Sequence, residues 1–191
     1  MPPTAVNSGP TPIPPVKLDF LAGLLSYLIP GLGQIKQGRV AKGLVFFVAL
    51  YALFFYGWNL GQRKNVFLID ARDGSSPLAR FGNDLYHRPH FVGQFFIGIA
   101  AWPAIWQYIN FDEKKDEGPA LGRMMRAPSS DEINRLQREE SKTWDLGWVY
   151  TVIAGVLNIL VIYDAIAGPA FREVMVKDES TPSPKKETAT I

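Results

Sequence analysis

Apolar residues in this chain are gathered into long uncharged blocks instead of being spread in stripes along amphipathic elements. Residues 43–61 and 91–111 contain no charged side chain, and residues 147–167 contain only Asp164, near the end of the block. An α-helix of about 20 residues crosses a hydrocarbon layer about 30 Å thick, because it rises about 1.5 Å per residue. The pattern therefore predicts an all-α integral membrane protein, a bundle of transmembrane helices.

A further apolar block, residues 18–35, precedes these three blocks in the chain and is interrupted. Asp19 stands near its start, and the sequence Pro30-Gly31-Leu32-Gly33 near its end breaks a helix and permits a tight turn. The uninterrupted part covers only about 18 Å, which is too short to cross a bilayer. Either this block crosses with a kink, which we favour, or it is a half-helix that dips in and returns. The prediction is thus about four transmembrane helices, the first one kinked or re-entrant.

The polar stretches between the blocks divide the chain further. The first fifteen residues include six prolines and the last fifteen are strongly polar, so both tails are predicted to be disordered. The predicted segments are a Pro-rich tail (1–16), a helical hairpin (17–61), a polar loop (62–90), a third transmembrane helix (91–111), a charged connector (112–145), a fourth transmembrane helix (146–168) and a polar tail (169–191).

The connector is predicted to contain an amphipathic helix. Ser129 and Glu132 have the spacing of a capping box, which indicates a helix that starts there. Ile133, Leu136, Glu140 and Trp144 fall on one face of this helix, and three of the four are apolar. We expect the helix to lie at the membrane surface or to lead directly into the last transmembrane helix, and Trp144 and Trp148 would belong to an aromatic belt.

Basic residues on short loops indicate which side of a membrane faces the cytoplasm. The tight turn after the first block carries Lys36, Arg39 and Lys42, and the connector 112–145 is also rich in Lys and Arg. We therefore expect both of these loops to face the cytoplasm in a multi-pass protein of the cell (inner) membrane. Its predicted partners are the lipid bilayer and a protein that contacts residues 112–145, and self-association is left open.

Composition excludes several kinds of chemistry. The chain has no cysteine, which removes disulfides, thiolate metal sites and cysteine nucleophiles, and its net charge of +2 comes from interleaved acids and bases, with no nucleic-acid footprint. His87 and His90 with Asp84 are the nearest approach to a metal-ligand set, but Pro89 separates the histidines and no further set completes a site. We expect no catalytic residue, no cofactor and no metal, and therefore not an enzyme.

Residues 30–34, Pro-Gly-Leu-Gly-Gln, are followed by Gly38-Arg39 and Lys42-Gly43. The stretch resembles the two-helix hairpin of TM2-domain-like bacterial multi-pass membrane proteins of uncharacterised function. The likeness covers about residues 18–61. It departs from many TM2 proteins at residues 37–39, where Gln-Gly-Arg replaces their Asp-Arg-Phe turn. The resemblance implies a hairpin with glycines at the helix contact, and it implies no activity, substrate or cofactor.

The polar and small residues of the apolar blocks are the candidates for helix packing and turns. Asn158 lies near the middle of the last block, where an amide is costly unless it bonds to another helix, and we interpret it as interhelical glue with a transport role as the alternative. The candidates are Pro30, Gly31, Gly33, Gln34, Gly38, Gly43, Gly155, Asn158 and Asp164.

The function predicted from these observations is that of a non-enzymatic membrane component: a scaffold, accessory subunit or assembly factor. The alternative is a small oligomeric transporter or channel that uses Asn158 and the break at residues 30–33 to line a path. The two hypotheses differ in whether Asn158 and Asp19 face a shared cavity.

Overall fold

The structure is a computed structural model that describes residues 18–68, 76–110, 124–139 and 141–180. Every regular element within these residues is helical, which confirms the all-α prediction. The predicted disorder of residues 1–16 and of the last eleven residues lies outside the described part. The elements are α1 (Phe20–Leu28), α2 (Leu32–Lys36), α3 (Val40–Leu60), α4 (Pro77–His87), α5 (Pro89–Phe95), a 3-10 turn (Gly98–Ala101), α6 (Trp102–Asn110), α7 (Ser130–Glu139) and α8 (Ser141–Ser180).

Two of these helices, α3 and α8, are long and apolar enough to cross a membrane, over Val40–Leu60 and Lys142–Gly168. They lie antiparallel, since Gly57 near the end of α3 packs against Gly147 near the start of α8. Only 22% and 33% of their most apolar stretches are buried, so most of this apolar surface faces outward. A core helix of a water-soluble protein would instead bury its apolar residues.

The helices α1 and α2 form an antiparallel hairpin, the first hairpin (residues 19–37). The chain breaks at Pro30, which cannot continue a helix, and Gly31 turns it with a φ of 86°. At the open end, the Nζ of Lys36 donates to the Asp19 carboxylate at 3.0 Å. Of the two alternatives predicted for this block, the chain adopts the one that returns. The favoured kinked continuation is not what forms.

The apolar block that begins at residue 91 also folds back. It forms a second hairpin (residues 89–110) made of α5, the 3-10 turn and α6. Gly98 has a φ of 80° and lies so close to backbone carbonyls of α1 that a Cβ would overlap them. At the end of α6, the Tyr108 hydroxyl donates to Asp84 of α4 at 2.8 Å, so α6 finishes beside the helix that precedes α5. A single third transmembrane helix over 91–111 is therefore corrected to two short helices joined by a tight turn.

The two hairpins enter from opposite ends of α8 and meet near its centre. The first begins where the Asp19 N–H donates to the Ile166 carbonyl at 3.0 Å. The second begins where the rings of His90 and Trp148 lie 5.4 Å apart. The tips of both hairpins contact Asn158. Each hairpin thus follows only about 12–15 Å of α8, at 1.5 Å per residue.

This arrangement places the basic turn 36–42 and the connector at opposite ends of the molecule. Lys42 pairs with Asp164 near the end of the apolar part of α8, whereas Lys64, after α3, pairs with Glu132 of α7. The expectation that both loops lie on one side is therefore corrected. Because the second hairpin turns back, the connector stays at the end where α3 finishes.

The charged connector and the polar loop each contain a helix. The hydroxyl of Ser129 accepts from the Glu132 N–H at 3.3 Å, which confirms the predicted start of α7. The polar loop 62–90 contains α4, which we did not predict; Ser76 caps it by accepting from the Ala79 N–H at 3.4 Å. Connector residues 112–123 and the loop residues 69–75 lie outside the described part.

The last helix is longer than predicted. Residues 169–180, assigned to the polar tail 169–191, continue α8 to Ser180. The stretch from Phe171 to Ser180 contains neither Gly nor Pro, and the next prolines stand at 182 and 184. A polar composition alone therefore does not stop a helix that a long apolar segment has already nucleated.

The core lies between α3, the second hairpin and α8, and consists of apolar side chains that are almost completely buried. Leu50 and Phe54 of α3 meet Phe91 and Ile97 of the second hairpin and Ala154 of α8. A second, smaller cluster joins the connector to this body through Phe67, Leu136, Trp144 and Trp148.

Candidate functional site

Asn158 holds the two hairpin tips together at the centre of α8. Its side chain is completely buried, and its Nδ2 donates to the carbonyls of Ser26 at 3.1 Å and Phe96 at 2.8 Å. One carbonyl belongs to the last turn of α1 and the other to the end of α5. The amide therefore bonds backbone groups that a regular helix would have satisfied internally.

Pro30 explains why the first of these carbonyls needs a partner. In an α-helix the Ser26 carbonyl would accept from the backbone N–H four residues later, but residue 30 is a proline and has none. Asn158 supplies the missing donor from another helix. The amide and the proline, both singled out in the sequence, thus belong to one structural device.

Close backbone contacts at glycines let the helices approach one another. A Cβ on Gly155 would overlap the carbonyl of Gly93 in α5, and a Cβ on Gly31 would overlap the carbonyl of Gly43 in α3. Gly33 lies equally close to the backbone of α1. Gly31, Gly33, Gly43 and Gly155 therefore lie at close contacts between helices.

Gly38 differs from the other candidate glycines. It has open space around it, with a φ of 76°. Its role is confined to the turn that precedes α3, where the left-handed backbone conformation favours glycine.

Asp164 is the centre of an ionic cluster, the Asp164 cluster (Gln34, Arg39, Lys42 and Asp164). Its Oδ2 accepts from Arg39 Nη2 at 2.5 Å and from Gln34 Nε2 at 3.1 Å, and its Oδ1 accepts from Lys42 Nζ at 2.7 Å. The side chains of Arg39 and Asp164 are 19% and 27% exposed. One carboxylate thus ties the start of α3 and the first hairpin to α8.

Gln34 connects this cluster to the inside of the first hairpin. It is completely buried; its Nε2 also donates to the Val161 carbonyl at 2.8 Å, and its Oε1 accepts from the Ser26 hydroxyl at 3.0 Å. The same hydroxyl accepts from the Gly33 N–H at 3.1 Å. Polar contacts therefore run without interruption from Asp164 to the tip that Asn158 holds.

Asp19 closes the open end of the first hairpin. Hydrogen bonds from the Ala22 backbone N–H, and then from the Lys36 ammonium, lower the pKa of the Asp19 carboxyl below its usual 3.8. It lies at the helix end, at the level of Ile166, and not beside Asn158. Asp19 and Asn158 therefore do not face a shared cavity.

A second polar layer joins the second hairpin to α8. Gln94 is completely buried, and its Nε2 donates to the Thr151 hydroxyl at 2.7 Å and to the Asn65 carbonyl at 3.1 Å. We did not predict this layer. The spacing of Thr151 and Asn158 by seven residues, which puts both on one helix face, is the signal that would have indicated it.

His87 and His90 lie against the aromatic rings of Tyr86 and Trp148, respectively. Among the described residues, no group of three or more His, Asp or Glu could hold an ion. Arg88, between the two histidines' helices, instead stacks over the rings of Phe67 at 3.7 Å and Trp148 at 4.9 Å. Nothing in the local sequence indicates that Arg88 packs against these rings.

The site and the fold thus define a helical protein with two helices of membrane-spanning length. Polar side chains of α8 that bond to other elements form a polar spine along it, made of Thr151, Asn158 and Asp164. Residues 21–178 match the family model described as "Family of unknown function (DUF6677)", and the chain belongs to this family. Comparison with curated proteins and with solved structures finds no match.

Proposed function

We propose that this protein is a multi-pass integral membrane protein of the cell (inner) membrane that acts as a non-enzymatic scaffold, accessory subunit or assembly factor. In this proposal α3 and α8 cross the bilayer, and the two hairpins are re-entrant from opposite sides. The outward-facing apolar side chains support it, since Leu24, Val45 and Leu160 are each more than half exposed and lipid would cover them.

The observation that carries a structural role is that the polar side chains near the centre of α8 bond to the protein itself. Asn158 bonds to two hairpin tips, and Gln94 bonds to Thr151. In hydrocarbon, backbone groups of broken helices are tolerated when other protein groups satisfy them. The amide donors of Asn158 and Gln94 are then accounted for by assembly of the fold.

The connector supplies a surface for a partner. One face of α7 packs on the body through Leu136, while Asp131, Arg135 and Arg138 are exposed. The Lys64–Glu132 ion pair fixes the helix at the end of α3. A charged, solvent-facing helix held on a membrane body suits recognition of a protein with complementary charges.

The proposed orientation places the connector in the cytoplasm. Twelve of the twenty Lys and Arg residues lie between Arg63 and Lys142, the stretch between the two long helices. Because the chain has no cysteine, single cysteines at Arg138 and Gly38 can be labelled with a membrane-impermeant maleimide on intact cells and on inverted vesicles. We expect label on opposite sides, with Arg138→Cys inside. Labelling from the same side would contradict two crossings.

The scaffold role is tested by affinity purification of the full chain in mild detergent. We expect a defined protein to copurify with wild type, and to be lost on double charge reversal, Arg135→Glu with Arg138→Glu. Arg63→Glu, at the same end but outside α7, is the matched control and should retain the partner. A protein that emerges alone, and whose reconstituted vesicles leak a specific solute, would refute the scaffold role.

A second candidate function, a small oligomeric transporter or channel, has one observation in its favour. Two broken helices meet at Asn158, and its Oδ1 is buried without a hydrogen-bond partner among the described residues. Broken helices near the bilayer midplane are typical of transporters. Flux that disappears in Asn158→Leu while the protein stays folded would favour this function over the scaffold.

The TM2-like hairpin is retained as part of the proposal. The Pro-Gly-Leu-Gly-Gln stretch lies at the turn between α1 and α2, and Gly43 packs against Gly31 at the contact with α3. These features support the relationship to TM2-domain-like proteins.

A further inference from the structure

A cavity of about 560 Å³ lies between the start of α5, α7 and the first turns of α8. Its polar end carries Arg88, His90 and Asp145, and its other end is lined by Val152 and Ile153. From Asp145 to Ile153 the helix rises about 12 Å. The cavity thus changes from charged to apolar along the axis of a helix of membrane-spanning length.

Arg88 is a cation without a described counterion at the polar end. Its Nη1 is buried without a hydrogen-bond partner among the residues that the structure describes, and burial lowers its pKa to about 10. The guanidinium remains protonated at neutral pH, and this partly desolvated positive charge stacks over two aromatic rings. A buried charge of this kind is stabilised when an anion pairs with it.

The neighbouring indoles add unused donors. Trp144 and Trp148 line the same cavity, and the Nε1 atom of each is buried without a hydrogen-bond partner within the described ranges. Guanidinium and indole N–H groups donate but do not accept, so together they suit an oxyanion. Phosphate oxygens provide the acceptors that these groups lack.

The apolar half of the cavity suits a hydrocarbon chain. Val149 and Ile153 are 51% and 40% exposed on the outward face of α8. An acyl chain lying along them would continue directly from a phosphate held at Arg88. Basic pockets between membrane helices at the cytoplasmic side are places where lipid headgroups bind.

From this juxtaposition we infer that the cavity binds a glycerophospholipid, with its phosphodiester against Arg88 and one acyl chain along Val149, Val152 and Ile153. Asp145 on the rim repels a second negative charge and attracts an ammonium, so the headgroup is zwitterionic, as in phosphatidylethanolamine. This inference depends on the proposed membrane insertion, and it assigns a resident lipid to the connector end.

The test measures binding of short-chain phospholipids, below their micelle concentration, to the full chain in detergent. Tryptophan fluorescence and the melting temperature are the readouts. We expect short-chain phosphatidylethanolamine to bind wild type and to raise its melting temperature. Arg88→Gln should bind about tenfold more weakly, the worth of a charge-assisted hydrogen bond. Arg63→Gln removes the same charge from an exposed position at this end of the molecule, and should bind like wild type.

Three further arms distinguish the sources of the phosphate. Short-chain diacylglycerol, which lacks the phosphate, should not bind, and inorganic phosphate at the same concentration should not stabilise. Asp145→Asn should shift preference from phosphatidylethanolamine toward phosphatidylglycerol. Equal stabilisation by inorganic phosphate, or equal binding by Arg88→Gln and Arg63→Gln, would overturn the inference.

If Arg88→Gln does not fold, Arg88→Lys and Trp144→Phe replace it as test variants. Arg88→Lys retains the positive charge, and Trp144→Phe retains an aromatic ring without the indole N–H. Native mass spectrometry of wild type then decides: a phospholipid retained after delipidation supports the site, and its absence overturns it. Whether the chain needs detergent for its extraction from cells separates this outcome from failure of the proposed function. A chain that needs detergent but retains no phospholipid contradicts only the lipid site, whereas a chain soluble without detergent contradicts membrane insertion itself.

Discussion

The two ends of the apolar part of α8 treat buried charge in opposite ways. At the Asp164 end, one carboxylate is bonded by Arg39, Lys42 and Gln34, so each charge has a partner. At the Trp148 end, Arg88 is partly buried against aromatic rings with no described carboxylate bonded to it. The Asp164 cluster is therefore complete as a structural unit. The Trp148 end lacks such a partner for the charge of Arg88, so a ligand is expected there.

The largest expected effect lies at the centre of α8. It tests whether close packing there contributes more to stability than the charged groups at either end. Gly155→Ala would place a Cβ on the Gly93 carbonyl, a contact with backbone that cannot move aside easily. We expect a loss of about 3 kcal/mol or no folded protein, measured by thermal unfolding in detergent. Gly82→Ala in α4, where a Cβ meets nothing, is the control, and should be neutral or stabilising. Similar melting temperatures for both variants would contradict the close contact.

Asn158→Leu tests whether the uncharged centre depends on hydrogen bonding as the Asp164 end does. It would leave the Ser26 and Phe96 carbonyls without their donor, and we expect a loss of about 2 kcal/mol in thermal unfolding. Asn59→Leu, the same substitution at an exposed position of α3, should change stability little. If the two variants were equally stable, Asn158 would not hold the hairpin tips.

Asp164→Asn tests how much the paired charges at the Asp164 end contribute to stability. It removes the charge that Arg39 and Lys42 share, in a partly exposed cluster, and we expect a loss of about 1.5 kcal/mol. In a double-mutant cycle with Arg39→Gln, the two losses should be less than additive. Asp131→Asn, at an exposed position of α7, is the control. Strict additivity would show that the two side chains are not coupled.

Asp19→Ala gives the smallest effect, about 1 kcal/mol, because Asp19 caps a short helix at an accessible position. Its folded-state pKa is lowered, so its contribution is present above the ordinary carboxyl value of 3.8 and is lost as the pH falls through the folded-state pKa. The stability difference between wild type and Asp19→Ala should therefore be constant from pH 7 to pH 5 and shrink below pH 3.8. A difference that grows on acidification would contradict the assigned ion pair.

Much of the fold was predictable because hydropathy is a local property. The blocks that became α3 and α8 were recognised from length and absence of charge alone. The block over 91–111 has the same appearance but turns back at Gly98. Its turn depends on contact with the end of α1, which no local pattern reports. Pro30 and Gly31 announced a break in the first block, but the direction of the chain after it was decided by Asp19, Lys36 and the contact of Gly33 with α1.

The candidate residues divide along the same line. Asn158 and Asp164 stood out because amides and carboxylates are costly in apolar blocks. Their partners lie more than a hundred residues away along the chain for Asp164, and in both hairpins for Asn158. Nothing in the local sequence marks Arg88, because Phe67 and Trp148, which partly cover it, belong to elements distant in sequence.

Taken alone, the order of residues determined that the chain is helical, where its long apolar helices lie, and which few polar groups had to find partners. Those properties depend on neighbours within one or two helical turns. The tertiary structure decided that two of the apolar blocks fold back, that the basic turn and the connector lie at opposite ends, and that Arg88 is partly buried without a described counterion. Each of these depends on which surfaces meet, and hydropathy carries no information about that.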